Sequence, residues 1–122
     1  MYLNGSLGCI AVIDVSIKDA VEAVSSVLNN MAYLDKVCTE VIKEVGLTII
    51  SSQKHQFEPY GVTMLYLLAE SHLSIHTWPE YNCFSMDVHS CNHNIDVKKI
   101  KKILNQALDI KRIKVQTMNR GV

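Results

Sequence analysis

Between Glu70 and Cys91 the chain gathers Glu70, Ser71, His72, Ser74, His76, Trp78, Glu80, Cys83, Asp87, His89 and Cys91. These hydroxyl, thiol, imidazole and carboxylate groups can attack a carbonyl, carry protons or ligate a metal. A strand buried only for packing has no use for such a set, because polar groups are costly to bury without partners. The window therefore reads as a site. His72 with His76, or His89 with Cys91 and His93, could offer nitrogen and sulfur to a metal. None of these spacings matches a familiar zinc pattern, and Trp78-Pro79 speaks against an H-x-x-x-H helix. Alternatively, Cys83 or Cys91 could be a nucleophile activated by His76 or His89. Composition leaves the chemistry open.

The elements that must position these groups follow from periodicity. Residues 7–15 (LGCIAVIDV) have the length and β-branching of a strand. Ser16 reads as a helix N-cap, with Asp19 and Glu22 early in the helix and Ile17, Val21, Val24 and Leu28 as its apolar stripe. A second stripe, Met31, Leu34, Val37, Val41 and Val45, ends at Gly46, and Asn29-Asn30 either breaks or kinks the pair. LTIISSQKHQF is a strand, Glu58-Pro59-Tyr60-Gly61 a turn, and VTMLYLLAE a second strand that SHLSIHTW continues as extended chain to Pro79. In CFSMDVHSC, Phe84, Met86 and Val88 alternate with Cys83, Ser85, Asp87, His89 and Cys91. Asp96 caps a helix with Val97, Ile100, Ile103, Leu104 and Leu108 on one face, and IKRIKVQTM is the last strand. The order β-α-β-β-β-α-β predicts one α+β domain over residues 1–122, a two-layer sandwich with helices packed on one face of a mainly antiparallel sheet.

Twelve basic residues balance twelve acidic ones, so no field advertises nucleic acid or a membrane surface as partner. The lysines at 98, 99, 101 and 102 read as a solvated helix face. The N-terminus lacks a basic n-region and a cleavage site, and no apolar run reaches the length of a membrane span. Four cysteines without a CxxC pair fit a reduced, cytoplasmic protein.

The string AESHLSIHTWPEY, preceded by FEPYGV and followed by DVHSC, resembles the prokaryotic S-adenosylmethionine decarboxylase proenzymes. The likeness is good over residues 47–122 and covers the N-terminal part by layout alone. It implies self-cleavage between Glu70 and Ser71 into chains 1–70 and 71–122. The Ser71 hydroxyl would attack the Glu70 carbonyl to give an ester, β-elimination would leave dehydroalanine, and hydrolysis would yield a pyruvoyl group. His76 matches the family's processing histidine and would be the base that takes the proton, and Thr63 stands where a second hydroxyl polarises the scissile bond. The pyruvoyl ketone would hold the substrate amine as a Schiff base and act as electron sink, with Cys91 as proton donor.

The resemblance also implies a substrate set. Phe57 and the His76 ring would cover the two faces of adenine, Glu80 would bind both ribose hydroxyls, and Leu73 would offer backbone and apolar contact. Phe57 and Trp78 are available to hold the sulfonium cation. The product would be the aminopropyl donor for spermidine synthesis, no metal is required, and the protein is expected to be a homodimer of cleaved protomers with sites at the interface. Two other readings remain: a relative acting on ornithine or arginine, which Phe57, Trp78 and Glu80 disfavour, and an uncleaved regulatory homologue. Asn82 and Asn92 stand at customary glycines, and Met64, also replacing a glycine, would add bulk beside Thr63. His72 and His89 read as structural, and Cys9, Cys38 and Cys83 as small buried hydrophobes.

Overall fold

A computed structural model describes residues 7–91 and 94–122. Its elements are β1 (Gly8–Ile17), α1 (Met31–Glu44), β2 (Ile49–Gln56), β3 (Val62–Leu68), β4 (Ser71–Trp78), β5 (Cys83–Ser90), α2 (Val97–Ala107) and β6 (Ile110–Arg120), with short 3-10 turns at Val27–Asn29 and Pro79–Tyr81. The strands form one sheet in the order β2-β3-β4-β5-β1-β6, and the paired neighbours run antiparallel.

Strict alternation divides the sheet into two faces. Val62, Met64, Tyr66 and Leu68 of β3, Leu73 and Ile75 of β4, Phe84, Met86 and Val88 of β5, and Ala11, Ile13 and Val15 of β1 share one core with Leu34, Val37, Cys38, Val41 and Ile42 of α1 and Ile100, Ile103 and Leu104 of α2. This is the expected two-layer α+β sandwich. The intervening residues form the other face, which no helix among the described residues covers: Thr63, Leu65, Leu67, His72, Ser74, His76, Ser85, Asp87, His89, Ile10, Val12 and Asp14.

Two expectations change. No helix runs from Ile17 to Leu28. Ile17 stays in β1, and its N–H donates to Asn82 O at 2.8 Å; Lys18 N–H donates to Asp109 O at 2.8 Å. The nine residues left before Val27 are too few to hold an isolated helix without an apolar face to bury, and Val21 is fully exposed. The chain is pinned by Ser25 N–H to Pro79 O at 2.9 Å instead. α1 begins only after Asn30, whose side chain accepts from Tyr33 N–H at 3.0 Å, and it stops at Gly46, whose φ is 79°. Second, the run from Val62 to Trp78 is two strands. It folds back at Ala69-Glu70, so that Leu68 pairs with Ser71 and Thr63 with His76.

Met64 is also corrected. It lies on the helix-facing side, fully buried, with the Tyr66 hydroxyl 3.6 Å from its sulfur. Its bulk fills the core and leaves the surroundings of Thr63 free. Tyr66 itself, 1% exposed, donates to Asp35 Oδ1 at 2.5 Å, and Lys54 Nζ reaches the other carboxylate oxygen at 3.2 Å. Tyr66→Phe is therefore expected to lower unfolding free energy by about 1–2 kcal/mol, because a buried hydrogen bond to a charged group is lost. Urea denaturation measures this; an unchanged midpoint would show that the hydroxyl contributes nothing.

Candidate active site

The register sets the functional side chains in rows across the uncovered face. One row runs Leu67, His72, His89, Ile10; the next Leu65, Ser74, Asp87, Val12; the third Thr63, His76, Ser85, Asp14. Ser74 donates to Asp87 at 2.6 Å and Ser85 to Asp14 at 2.9 Å, so the middle of the face is tied together by hydroxyl–carboxylate bonds. A shallow groove of about 340 Å³ between these rows is lined by Thr63, Leu65, Ser74, His76 and Asp87, among others.

At one end of the strands lies the β3–β4 hairpin. The Glu70 carbonyl accepts from Cys91 N–H at 2.8 Å, and the Glu70 carboxylate accepts from Thr48 N–H at 3.0 Å. Both halves of Glu70 are thus held. The Ser71 hydroxyl stands 2.5 Å from His89 Nδ1 and 3.2 Å from His72 Nδ1. The two imidazoles stack at 5.2 Å with planes 9° apart. Ser71 pairs with Ser90, which brings Cys91 beside the Glu70–Ser71 bond. β1 closes on the same corner at Gly8, where a Cβ would stand 2.6 Å from Ser90 O and 3.2 Å from Cys91 Cα. Only glycine allows that approach.

At the other end, Thr63 Oγ1 and His76 Nδ1 are joined at 2.5 Å. Around them gathers an aromatic cluster: His76 meets Trp78 edge-on at 4.3 Å and Phe57 at 5.8 Å, and His55 meets Phe57 at 4.6 Å. Phe57 and Trp78 remain 39% and 37% exposed, unlike aromatics spent on a core. Phe57 is carried by the β2–β3 turn, closed by Phe57 N–H to Gly61 O at 2.8 Å. Asn29 clamps that turn, accepting from Gly61 N–H and Gln56 Nε2, both at 2.9 Å. Glu80 is exposed in the turn after β4, which ends at Asn82 in the left-handed conformation, φ 54°. Asparagine there does what glycine would do.

The structure thus brings together Thr63, His76, Phe57 and Trp78, and separately Glu70, Ser71 and Cys91. It does not bring Ser71 to His76 of the same chain: five residues of strand set them roughly 16 Å apart. Leu73 is fully buried on the helix side, so only its backbone can face a ligand. His89 and His72, read as structural, meet the Ser71 hydroxyl. Asn29 went unnoticed as a positioning residue; its only sequence signal was the Asn29-Asn30 pair.

The thiols separate by environment. Burial first, then the Glu80 and Asp14 charges, push the Cys83 thiol up, which makes it a poor nucleophile at neutral pH. Cys38, on the buried face of α1, is pushed up to about 12, chiefly by burial. Among the described residues no group of three or more His, Cys, Asp or Glu is arranged to hold a metal ion; Asn92 and His93 lie outside the described residues. No described helix is long and apolar enough to cross a membrane.

The class this defines is a two-layer α+β domain whose open sheet face carries, at a hairpin, a hydroxyl flanked by two imidazoles with a cysteine backbone N–H beside it. The chain belongs to the S-adenosylmethionine decarboxylase family, whose model matches residues 15–121. It is 38% identical over 100 residues to the S-adenosylmethionine decarboxylase proenzyme of Thermotoga petrophila, covering 82% of this chain and 77% of that one. The proenzyme of Pseudomonas aeruginosa is 32% identical over 101 residues, covering 83% of this chain and 63% of that one. The crystal structure of the adenosylmethionine decarboxylase from Aquifex aeolicus superposes with a TM-score of 0.79 at 31% identity, covering 96% of this chain and 92% of that one.

Proposed function

We propose that the chain is a proenzyme that cuts its own Glu70–Ser71 bond, converts Ser71 to a pyruvoyl group and then removes carbon dioxide from S-adenosylmethionine. The observation that carries this reading is the hairpin corner. There the Glu70 carbonyl accepts from Cys91 N–H at 2.8 Å, while the adjacent hydroxyl lies 2.5 Å from an imidazole nitrogen. A carbonyl held by a donor beside a hydroxyl with a base is what self-cleavage needs. The same corner suits a ketone at position 71, because His72 Nδ1, 3.2 Å from the Ser71 oxygen, can donate to it.

The pyruvoyl group supplies an electron-withdrawing ketone that holds the substrate amine while carbon dioxide departs. Cys91 then returns a proton to the substrate carbon. Phe57 offers its exposed ring to the adenine, whose other face His76 covers only once the two rings, edge-on at 65°, turn parallel; Trp78 adds an aromatic face toward the sulfonium, Glu80 accepts from the ribose hydroxyls, and the Leu73 backbone lines the path. The product carries the aminopropyl group used in spermidine synthesis. An ornithine or arginine substrate would leave the aromatic cluster around His76 without a partner.

The site is completed by a second copy. Thr63 and His76 lie at the opposite strand end from Ser71, on a face that leaves Val12, Leu65 and Leu67 exposed. Two such faces, related by a two-fold axis lying between the sheets and across the strands, set the Ser71 of one protomer over the Thr63–His76 pair of its partner. The dimer buries the apolar residues and assembles two sites at once.

Intact mass spectrometry tests the proposal. The purified protein is expected as two fragments, 1–70 and 71–122, the second blocked to Edman degradation and reactive with a hydrazide. Carbon dioxide should be released from carboxyl-labelled S-adenosylmethionine. A chain of 13.7 kDa that stays whole on prolonged incubation would sink the reading.

A further inference from the structure

We infer that His89 is the base that takes the Ser71 hydroxyl proton in the first step of self-cleavage, with His72 as the positioning residue that aims that proton; this rests on the self-processing reading above. Two ring nitrogens point at one oxygen: His89 Nδ1 at 2.5 Å and His72 Nδ1 at 3.2 Å. A hydroxyl has one proton to give, so it donates to one nitrogen and accepts from the other. The shorter contact assigns His89 Nδ1 as acceptor, and His72 donates its Nδ1–H to an Oγ lone pair. The stacked rings, 9° apart, keep both Nδ1 atoms aimed at the same oxygen. The Thr63–His76 pair has no such access within the same chain, and remains available from the partner for removal of the Ser71 Cα proton in the later elimination.

The step balances. Oγ adds to the Glu70 carbonyl carbon as its proton passes to His89 Nδ1, and the carbonyl π electrons move to the oxygen that Cys91 N–H holds. Collapse re-forms the carbonyl and breaks the bond to the Ser71 nitrogen. That nitrogen recovers the proton from His89, leaving an ester between Glu70 and Oγ and a free amine. No oxidant, reductant or net proton is consumed.

The surroundings keep His89 in the neutral form a base requires. Burial lowers its affinity for a proton first, followed by the charges of His72 on β4 and Arg120 at the end of β6; Asp87, two residues away on β5, opposes them. The β1 residue paired with His89 is Ile10, which carries no charge.

The test follows cleavage of freshly made chain by intact mass, with neutral hydroxylamine to detect ester. His89→Phe and His89→Asn are expected to be cut roughly 10²–10⁴-fold more slowly than wild type, and to accumulate precursor that hydroxylamine leaves intact. Added imidazole should speed cutting of His89→Gly, which a purely structural role would not predict. In wild type the rate should fall as pH drops through a value below the ordinary imidazole range. In His72→Phe, which keeps a ring but loses the repelling charge, that acid limb should move to higher pH. Cutting of His89→Phe within a few-fold of wild type, or build-up of hydroxylamine-labile ester in it, would overturn the assignment while leaving the decarboxylase reading intact. Wild type that never cuts would overturn both. Should His89→Phe fail to fold, an acid limb in His72→Phe identical to wild type overturns it independently.

Discussion

Ser71→Ala is expected to remain a single 13.7 kDa chain under all conditions in which wild type is cut. The alanine keeps the backbone, and with it the Cys91 N–H bond to Glu70 O at 2.8 Å, so the fold and the polarised carbonyl survive. What disappears is the Ser71 hydroxyl oxygen that attacks the neighbouring Glu70 carbonyl. Water cannot substitute, because uncatalysed amide hydrolysis lacks both the proximity and the base that the hydroxyl enjoys. The same variant tests the two-copy site. His76→Ala alone should also fail to mature, yet co-expression with Ser71→Ala should restore cutting in part of the mixture. In a mixed dimer the Ser71 of one chain faces the intact His76 of the other. Complete absence of cutting in such mixtures would show that Ser71 and His76 do not meet across a dimer.

Cys91→Ala separates maturation from turnover. The donor to the Glu70 carbonyl is the Cys91 backbone, which alanine preserves, so both fragments should appear. Turnover should fall by roughly 10²–10⁴-fold, the range for removing a positioned proton donor. Protonation at the wrong carbon should also convert the blocked end of fragment 71–122 into an alanine that Edman degradation can read. A variant as active as wild type would remove Cys91 from the mechanism. Loss of cutting would mean that the thiol, beyond its backbone, takes part in processing.

The alternation of β5 was legible because Phe84, Met86 and Val88 are large and apolar while Ser85, Asp87 and His89 between them are polar; Ser90, buried although polar, carried no such mark. The β3–β4 hairpin was not. Its turn is Ala69-Glu70, without Gly, Asn, Asp or Pro, and such a turn leaves no mark in the chain. Read as one extended run, the stretch hides the register. The register is what puts Ser71 beside Ser90 and His72 beside His89. Hence His89 read as structural although it touches the central hydroxyl. The helix expected from Ile17 to Leu28 failed for a different reason. Its apolar spacing was genuine, but Ile17 was already committed to β1 through its bond to Asn82 O at 2.8 Å, and tertiary pairing overrode a weak local preference. Met64 shows the same blindness on a finer scale: adjacency to Thr63 in sequence means the opposite face in a strand.

The strand order has a consequence for what the proposed cut would leave behind. Residues 1–70 supply β1, β2 and β3, and residues 71–122 supply β4, β5 and β6, yet the sheet reads β2-β3-β4-β5-β1-β6. The first strand of one fragment is therefore threaded between two strands of the other, and a third ladder joins β3 to β4. Severing the chain at the hairpin would give two polypeptides that are interlaced rather than docked. Neither can leave without unzipping three ladders and opening the shared core, so the nicked molecule should behave in every native separation as one body. Its bond can break while its architecture has no seam along which to part.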